Sequence, residues 1–181
     1  MSERLPRLAQ RIRDECCELA RLVARAQEGW HRAQQSADDL YVDSVALNLH
    51  GFYAGLERLF EMIAAAIDGN VPQGQNWHQV LLEQMVAEVP SVRPALISEE
   101  TRRMLDEYRG FRHVVRNVYA FRFDLEKVRK LVQGVPAVFS KCVLNCWPLP
   151  TFWISKRRRM ARVARITCQV SPSPTPPGWM T

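Results

Sequence analysis

In Leu49-His50-Gly51-Phe52-Tyr53-Ala54-Gly55-Leu56-Glu57-Arg58-Leu59-Phe60, the large apolar side chains Leu49, Phe52, Leu56 and Phe60 return every three or four positions. That is the period of one face of an α-helix and not the alternation of a strand. The pattern extends back to Val45 and on through Ile63 and Ile67, until Asp68-Gly69-Asn70 supplies a stop. Asp38 or Asp39 is placed to cap its start. Upstream, Leu5, Leu8, Ile12, Cys16, Leu19, Val23, Ala26 and Trp30 repeat the same spacing with charges between them, which predicts one long amphipathic helix.

Downstream, Val71 to Asn76 reads as a loop, and Asn76 is placed to cap a shorter helix through Trp77, Val80, Leu81 and Met85. Pro90 and Pro94 close that helix and predict an extended link. Ser98 before Glu99 and Glu100 is a strong start for a fourth helix reaching roughly Tyr119, because a hydroxyl and two carboxylates suit the amide-rich end. Its expected core stripe is Met104, Tyr108, Phe111, Val115 and Val118. Asp124 can cap a fifth helix carrying Leu125, Val128, Leu131 and Val132, with Gly134 and Pro136 expected to interrupt it. With no alternating segment before residue 140, the predicted class is all-α, an antiparallel bundle of four to five helices.

Two regions are expected, a helical domain over 1–140 and a C-terminal extension over 141–181. The extension is basic and ends in Ser171-Pro172-Ser173-Pro174-Thr175-Pro176-Pro177, a composition that predicts partial disorder. The formal charge of +6 belongs to this tail. Residues 1–126 hold 15 Lys and Arg against all 19 Asp and Glu, whereas 127–181 hold ten basic residues, six of them between Lys156 and Arg165. A positive total therefore says little about the folded body. No run approaches the ~18 apolar residues that span a bilayer, and five unevenly placed cysteines do not suggest a disulfide framework. The expectation is a cytoplasmic protein with no membrane contact. Cys142 and Cys146 share a helical face, but only distant Cys168 could join them, so no metal site is expected.

The chemistry-bearing segment is Tyr108-Arg109-Gly110-Phe111-Arg112-His113-Val114-Val115-Arg116-Asn117-Val118-Tyr119. At about 100° per residue, Arg112, Arg116 and Tyr119 fall within about 60° of arc, while His113 and Asn117 lie about 100° and 140° from Arg112. An ideal lone helix does not bring all five together. A site there must be composite, built either by a distorted helix or by two copies facing one another. Arginine suits phosphate because its planar fork gives two parallel charged hydrogen bonds and stays ionised. Histidine is the usual proton carrier near neutral pH, whereas an amide such as Asn117 positions or donates but accepts no proton usefully. A solvated basic face beside a packed helix is the competing account of the same residues.

The spacing Arg112, four residues, Asn117, one residue, Tyr119 resembles the Arg-x4-His-x-Tyr motif of HEPN-domain ribonuclease toxins, specifically the HepT-like group. The likeness covers about residues 1–135. It takes in the Leu49–Phe60 segment, Trp77-His78-Gln79, and Phe121-Arg122-Phe123-Asp124. The resemblance implies an all-α domain that dimerises, cleaves RNA without a metal or other cofactor, and is partnered by a nucleotidyltransferase antitoxin that transfers AMP to the motif tyrosine. Carried over position by position, it implies Arg112 as the phosphate-binding arginine, Asn117 in the histidine slot and Tyr119 as the modified tyrosine. His113 matches the polar residue that follows the motif arginine.

Arg109, Arg116, Tyr53 and Glu57 are expected to support the site or contact RNA, while His50 and His78 are read as packing or capping residues. Asn117 leaves two readings open. Either His113 supplies the proton transfer and the protein is an endoribonuclease, or the domain is a catalytically inactive module that binds RNA or its nucleotidyltransferase partner.

Overall fold

The computed structural model describes residues 4–36, 38–117 and 123–146. It contains α1 (Arg4–Ser36), α2 (Leu40–Ile63), a π-helical turn (Ala64–Asp68), α3 (Trp77–Val86), α4 (Glu99–Asn117) and α5 (Leu125–Cys146). No strand occurs among the described residues; the one β-type pairing is the isolated bridge between Val89 and Arg93. The expected all-α bundle is what forms.

The directions of the helices follow from which residues meet. Glu15 pairs with Arg58, Leu19 lies against Gly55, Leu22 against Gly51, Arg25 bonds Asn48, and Gly29 lies against Val45. As one number rises the other falls, so α1 and α2 run antiparallel. The same inversion relates α4 and α5, where Glu100 pairs with Lys141, Glu107 with Lys130, and the Tyr108 hydroxyl donates to the Leu131 carbonyl at 2.8 Å. One core joins the layers. Ile12, Cys16, Leu19, Val23 and Ala26 of α1 belong to the same buried cluster as Val45, Leu49, Phe52, Leu56, Phe60 and Ile63 of α2.

Most helix starts match their residue chemistry, with differences in detail. Ser98 Oγ accepts from the Thr101 amide at 3.1 Å, and Asp124 Oδ1 accepts from the Glu126 amide at 3.0 Å. At α2, Asp38 accepts from the Leu40 amide, while Asp39 makes no side-chain cap bond. Asn76 also fails to cap with its side chain. Its carbonyl begins the α3 ladder by accepting from Gln79 and Val80.

Three further expectations are corrected. The second helix does not remain α-helical to Asp68: it widens to a π turn after Ile63, and Gly69, at φ 71°, ends it in the left-handed conformation glycine tolerates. Gly134 and Pro136 do not interrupt the last helix, because α5 continues to Cys146. Pro136 removes one helical hydrogen bond at a cost of roughly 3 kcal/mol, but buried Val132, Val135, Val138 and Cys142 lie on either side of it and hold the helix to the core. Positions 140 and 141 both lie within α5. Pro90 does not extend the chain either: the Val92 amide donates to the Val89 carbonyl, and Ser91 takes φ 63°, so the segment turns tightly.

In α4 the inward stripe is Thr101, Leu105, Tyr108 and Phe111, with Met104 and Val115 only partly buried. Val118 lies outside the described residues, as does everything beyond Cys146, including the basic cluster and Cys168.

Candidate functional site

The last two turns of α4 carry Arg109, Arg112, His113, Arg116 and Asn117, all of which line an open depression of about 680 Å³ together with Gly110 and with His78 from α3. These side chains and an imidazole from α3 line one depression within a single chain, by a route the helix wheel does not contain. α3 crosses close enough to α4 to add an imidazole, and the α4 side chains reach the depression around Gly110, which offers no side-chain bulk of its own.

Arg112 is the pivot. It is about one-fifth exposed, with its Nη1 3.3 Å from His78 Nε2 and its Nε 3.6 Å from Glu57 Oε2. Glu57 comes from α2 and is nearly buried, and its Oε1 lies 2.5 Å from His78 Nδ1. That is an ion-pair distance whose angle leaves neither atom a well-directed hydrogen bond. Tyr53, one turn before Glu57, is buried with its hydroxyl enclosed.

The donor inventory assigns the His78 tautomer. Guanidinium only donates, so the ring nitrogen facing Arg112, Nε2, must accept, and the single proton of a neutral imidazole sits on Nδ1, facing Glu57. Burial first, and then Arg112 and Arg109, push the His78 imidazole below its ordinary value and favour this neutral form. Burial pushes the Glu57 carboxyl up to about 7, against the pull of Arg112 and Tyr53 in the other direction. The Tyr53 phenol is driven well above its usual value, chiefly by burial and then by Glu57.

The exposed end of the site is ordered by Asn117. Its Nδ2 donates to the His113 carbonyl at 2.7 Å and lies 3.3 Å from His113 Nδ1. A carbonyl accepts only, so the group facing it is the NH₂, and Nδ1 beside that NH₂ must also be an acceptor. Neutral His113 therefore carries its proton on Nε2. Arg109 is held by Asp106 at 3.0 Å, whereas Arg116 has no ion-pair partner among the described residues. Arg116 is thus the guanidinium of the depression whose charge is least engaged, and Arg112, paired with Glu57, lies beside it.

Of the residues expected from sequence, Arg109, Arg112, His113, Arg116 and Asn117 share the depression, and Tyr53 and Glu57 sit behind Arg112. Tyr119 lies outside the described residues. Of the two histidines read as packing or capping residues, His78 also lines the depression. His78 touches Arg112 directly, and His50 is near enough to Arg112 and Arg116 that both, after burial, push its imidazole down. The only available signal for His78 was its place in Trp77-His78-Gln79, since a partner 34 positions away leaves no local pattern.

The remaining chemistry-bearing groups offer less. A larger depression of about 830 Å³ between α1 and α2 is lined by Arg11, Asp14, Glu15, Glu18, Arg58 and Glu61 among apolar residues, and holds no histidine, cysteine or serine. Cys142 and Cys146 point into the core, and burial pushes the Cys142 thiol up to about 12. Such thiols are poor nucleophiles and poor ligands. Among the described residues no group of three His, Cys, Asp or Glu side chains could hold a metal ion, and no helix is long and apolar enough to cross a membrane.

Comparison with curated proteins and with solved structures gives no match. A family model described as HepT-like protein matches residues 44–144, from α2 through all but the end of α5. That stretch covers more than half of the chain and contains every element that contributes to the depression. The chain belongs to the HepT-like family of HEPN proteins.

Proposed function

We propose that this protein is the toxin of a toxin–antitoxin pair and acts as a metal-independent endoribonuclease. The observation that carries this reading is Arg112, held from behind by Glu57 and His78 at the wall of a depression that Arg116, His113 and Asn117 also line. A phosphodiester seated there meets the fork of Arg112, the charge of Arg116 and the Nε2–H of His113. These donors face the oxygens on which charge grows as a ribose 2′-hydroxyl attacks phosphorus. Asn117 orients His113 and carries no proton itself.

In this reading two copies pair as a homodimer in the cytoplasm, and a nucleotidyltransferase antitoxin silences the toxin by transferring AMP to Tyr119. Adenylylation two residues beyond Asn117 adds a bulky anion that competes with RNA for the same arginines.

The test is cleavage of a structured RNA by the purified full chain in excess chelator. The wild type is expected to cut, and Arg112→Ala to cut at least ~10²-fold more slowly, the usual loss when one stabilising donor is removed. Unchanged cutting by Arg112→Ala would retire the site. After co-expression with a nucleotidyltransferase partner, mass spectrometry should find the adduct on the Tyr119 peptide.

A second reading, a non-cutting module that binds RNA or its nucleotidyltransferase partner, is favoured by Asn117 standing where the family motif has histidine. Wild-type protein that binds RNA and leaves it intact selects that reading.

A further inference from the structure

The missing motif histidine raises the question of which group accepts the 2′-hydroxyl proton. Asn117 is an amide and has no useful basicity. His113 Nδ1 faces the Asn117 NH₂ at 3.3 Å, the same separation as His78 Nε2 from Arg112, and His113 has no ion pair to a carboxylate among the described residues. His78 differs in the second respect. Its Nδ1–H faces a carboxylate, and the lone pair of its Nε2 points to Arg112 at the wall of the depression. An imidazole backed by a buried carboxylate is the arrangement that holds a base in one tautomer and stabilises the imidazolium it becomes.

We propose that Glu57 and His78 form a proton-accepting dyad, in which His78 Nε2 takes the proton of the attacking ribose 2′-hydroxyl and Glu57 is the positioning residue. The assignment rests on the ribonuclease reading above.

The contact that now engages Nε2 is long for a hydrogen bond to a guanidinium, at 3.3 Å. Arg112 has other N–H groups with which to hold phosphate, so an incoming hydroxyl displaces one weak contact and finds the acceptor already beside the anion. The 2′-O–H bond breaks and its proton goes to His78 Nε2, while the 2′-oxygen bonds to phosphorus. The phosphorus–5′-oxygen bond then breaks, and the leaving oxygen takes a proton from solvent water. The products are a 2′,3′-cyclic phosphate and a 5′-hydroxyl, and His78 returns its proton to solvent.

The charged groups around His78 come from two elements. Glu57 and Glu61 on α2 favour the imidazolium; Arg112, Arg109 and Arg116 on α4 oppose it. Trp77 lies against the ring, with centroids 3.6 Å apart and planes inclined by 34°. The proton-accepting form requires Glu57 ionised and His78 neutral, so cleavage should rise with pH on a limb that belongs to the pair and not to either residue alone.

The test uses the full chain, a structured RNA, chelator, and His78→Ala with and without added imidazole. Helical circular dichroism and RNA affinity are measured on the same preparation. The expected result is a loss of ~10²–10⁴ in cleavage rate, the usual contribution of a general base. RNA binding should be retained, and the rate should recover in proportion to the neutral imidazole supplied.

Wild-type-like cutting by His78→Ala, alongside an inactive Arg112→Ala, overturns the dyad and leaves the nuclease reading standing. A folded, RNA-binding His78→Ala that imidazole does not rescue also overturns it, because that marks a purely structural role. Wild-type protein that never cuts removes both readings together. If His78→Ala loses helical content, His78→Gln replaces it. Its side-chain carbonyl can still accept from Arg112, and the readout becomes loss of the rising pH limb, with a retained limb overturning the assignment.

Discussion

Arg93 is the most completely enclosed charge among the described residues, and its surroundings show what makes such burial tolerable. Its side chain is 0% exposed, with Nε and Nη2 each 2.7 Å from the two oxygens of Asp68. Its remaining donors reach the carbonyls of Ala87, Pro94 and Gln84. The bidentate pair fits the planar fork, and the three carbonyls take the donors Asp68 cannot. Arg93 thereby ties the π turn, the end of α3 and the link to α4 together, behind the helix that presents His78. Replacing Arg93 with alanine leaves the nearly buried Asp68 side chain without its cation, with Gln84 Nε2 still donating to it, and takes the donors away from the three carbonyls. Denaturant titration should show a loss of about 3–5 kcal/mol, as for other broken buried pairs. A loss below about 1 kcal/mol would mean that water reaches the site and that the residue is not a staple.

At the scale of elements, two glycines mark where helices touch and where they do not. A Cβ on Gly55 would lie 2.7 Å from Leu19 Cδ2 and 3.0 Å from Glu15 Oε1, so α1 and α2 approach closely there. A Cβ on Gly110 meets nothing within 4 Å. Both residues sit inside helices, where alanine is favoured over glycine by about 0.8–1 kcal/mol. Gly110→Ala should realise that gain and raise the melting temperature. Gly55→Ala should lose it to overpacking, which costs about 1–3 kcal/mol in a fitted interface, and should lower the melting temperature. The opposite signs are the test, and stabilisation by both would mean that α1 and α2 separate with little resistance.

Local periodicity and punctuation made these elements readable in advance. The α2 pattern, the Ser98 and Asp124 caps and the Gly69 stop all depend on neighbours within four residues. The π turn and the uninterrupted α5 were not readable, because burial of Val135, Val138 and Cys142 against distant helices outweighs the local effect of Pro136.

For the whole molecule, α1 is the instructive part. The HepT-like match begins at residue 44, inside α2, yet α1 buries Ile12, Cys16, Leu19, Val23 and Ala26 in the common core. Removing residues 1–36 would expose the face of α2 that meets α1, including Val45, Gly51 and Gly55. The expected outcome is loss of cooperative thermal unfolding, or aggregation on purification, because a core cut open on one side exposes an apolar patch. A truncated chain that does not aggregate and unfolds cooperatively would show that α1 is an accessory layer.

The division between what the chain's order of residues decided and what its folding decided follows the range of the forces. Helix class, helix number, caps and the Arg112-to-Asn117 spacing arise from contacts between near neighbours, and they stand in the linear order of side chains. The union of Glu57, His78 and Arg112 joins α2, α3 and α4 across 34 positions between histidine and arginine alone. It exists because packing of apolar faces carries those helices together, and packing is indifferent to which polar side chains it brings along. An imidazole that reads as a capping residue in sequence thus stands beside the motif arginine in space. Folding, and not the order of residues, sets His78 next to Arg112 in a chain whose motif carries Asn117.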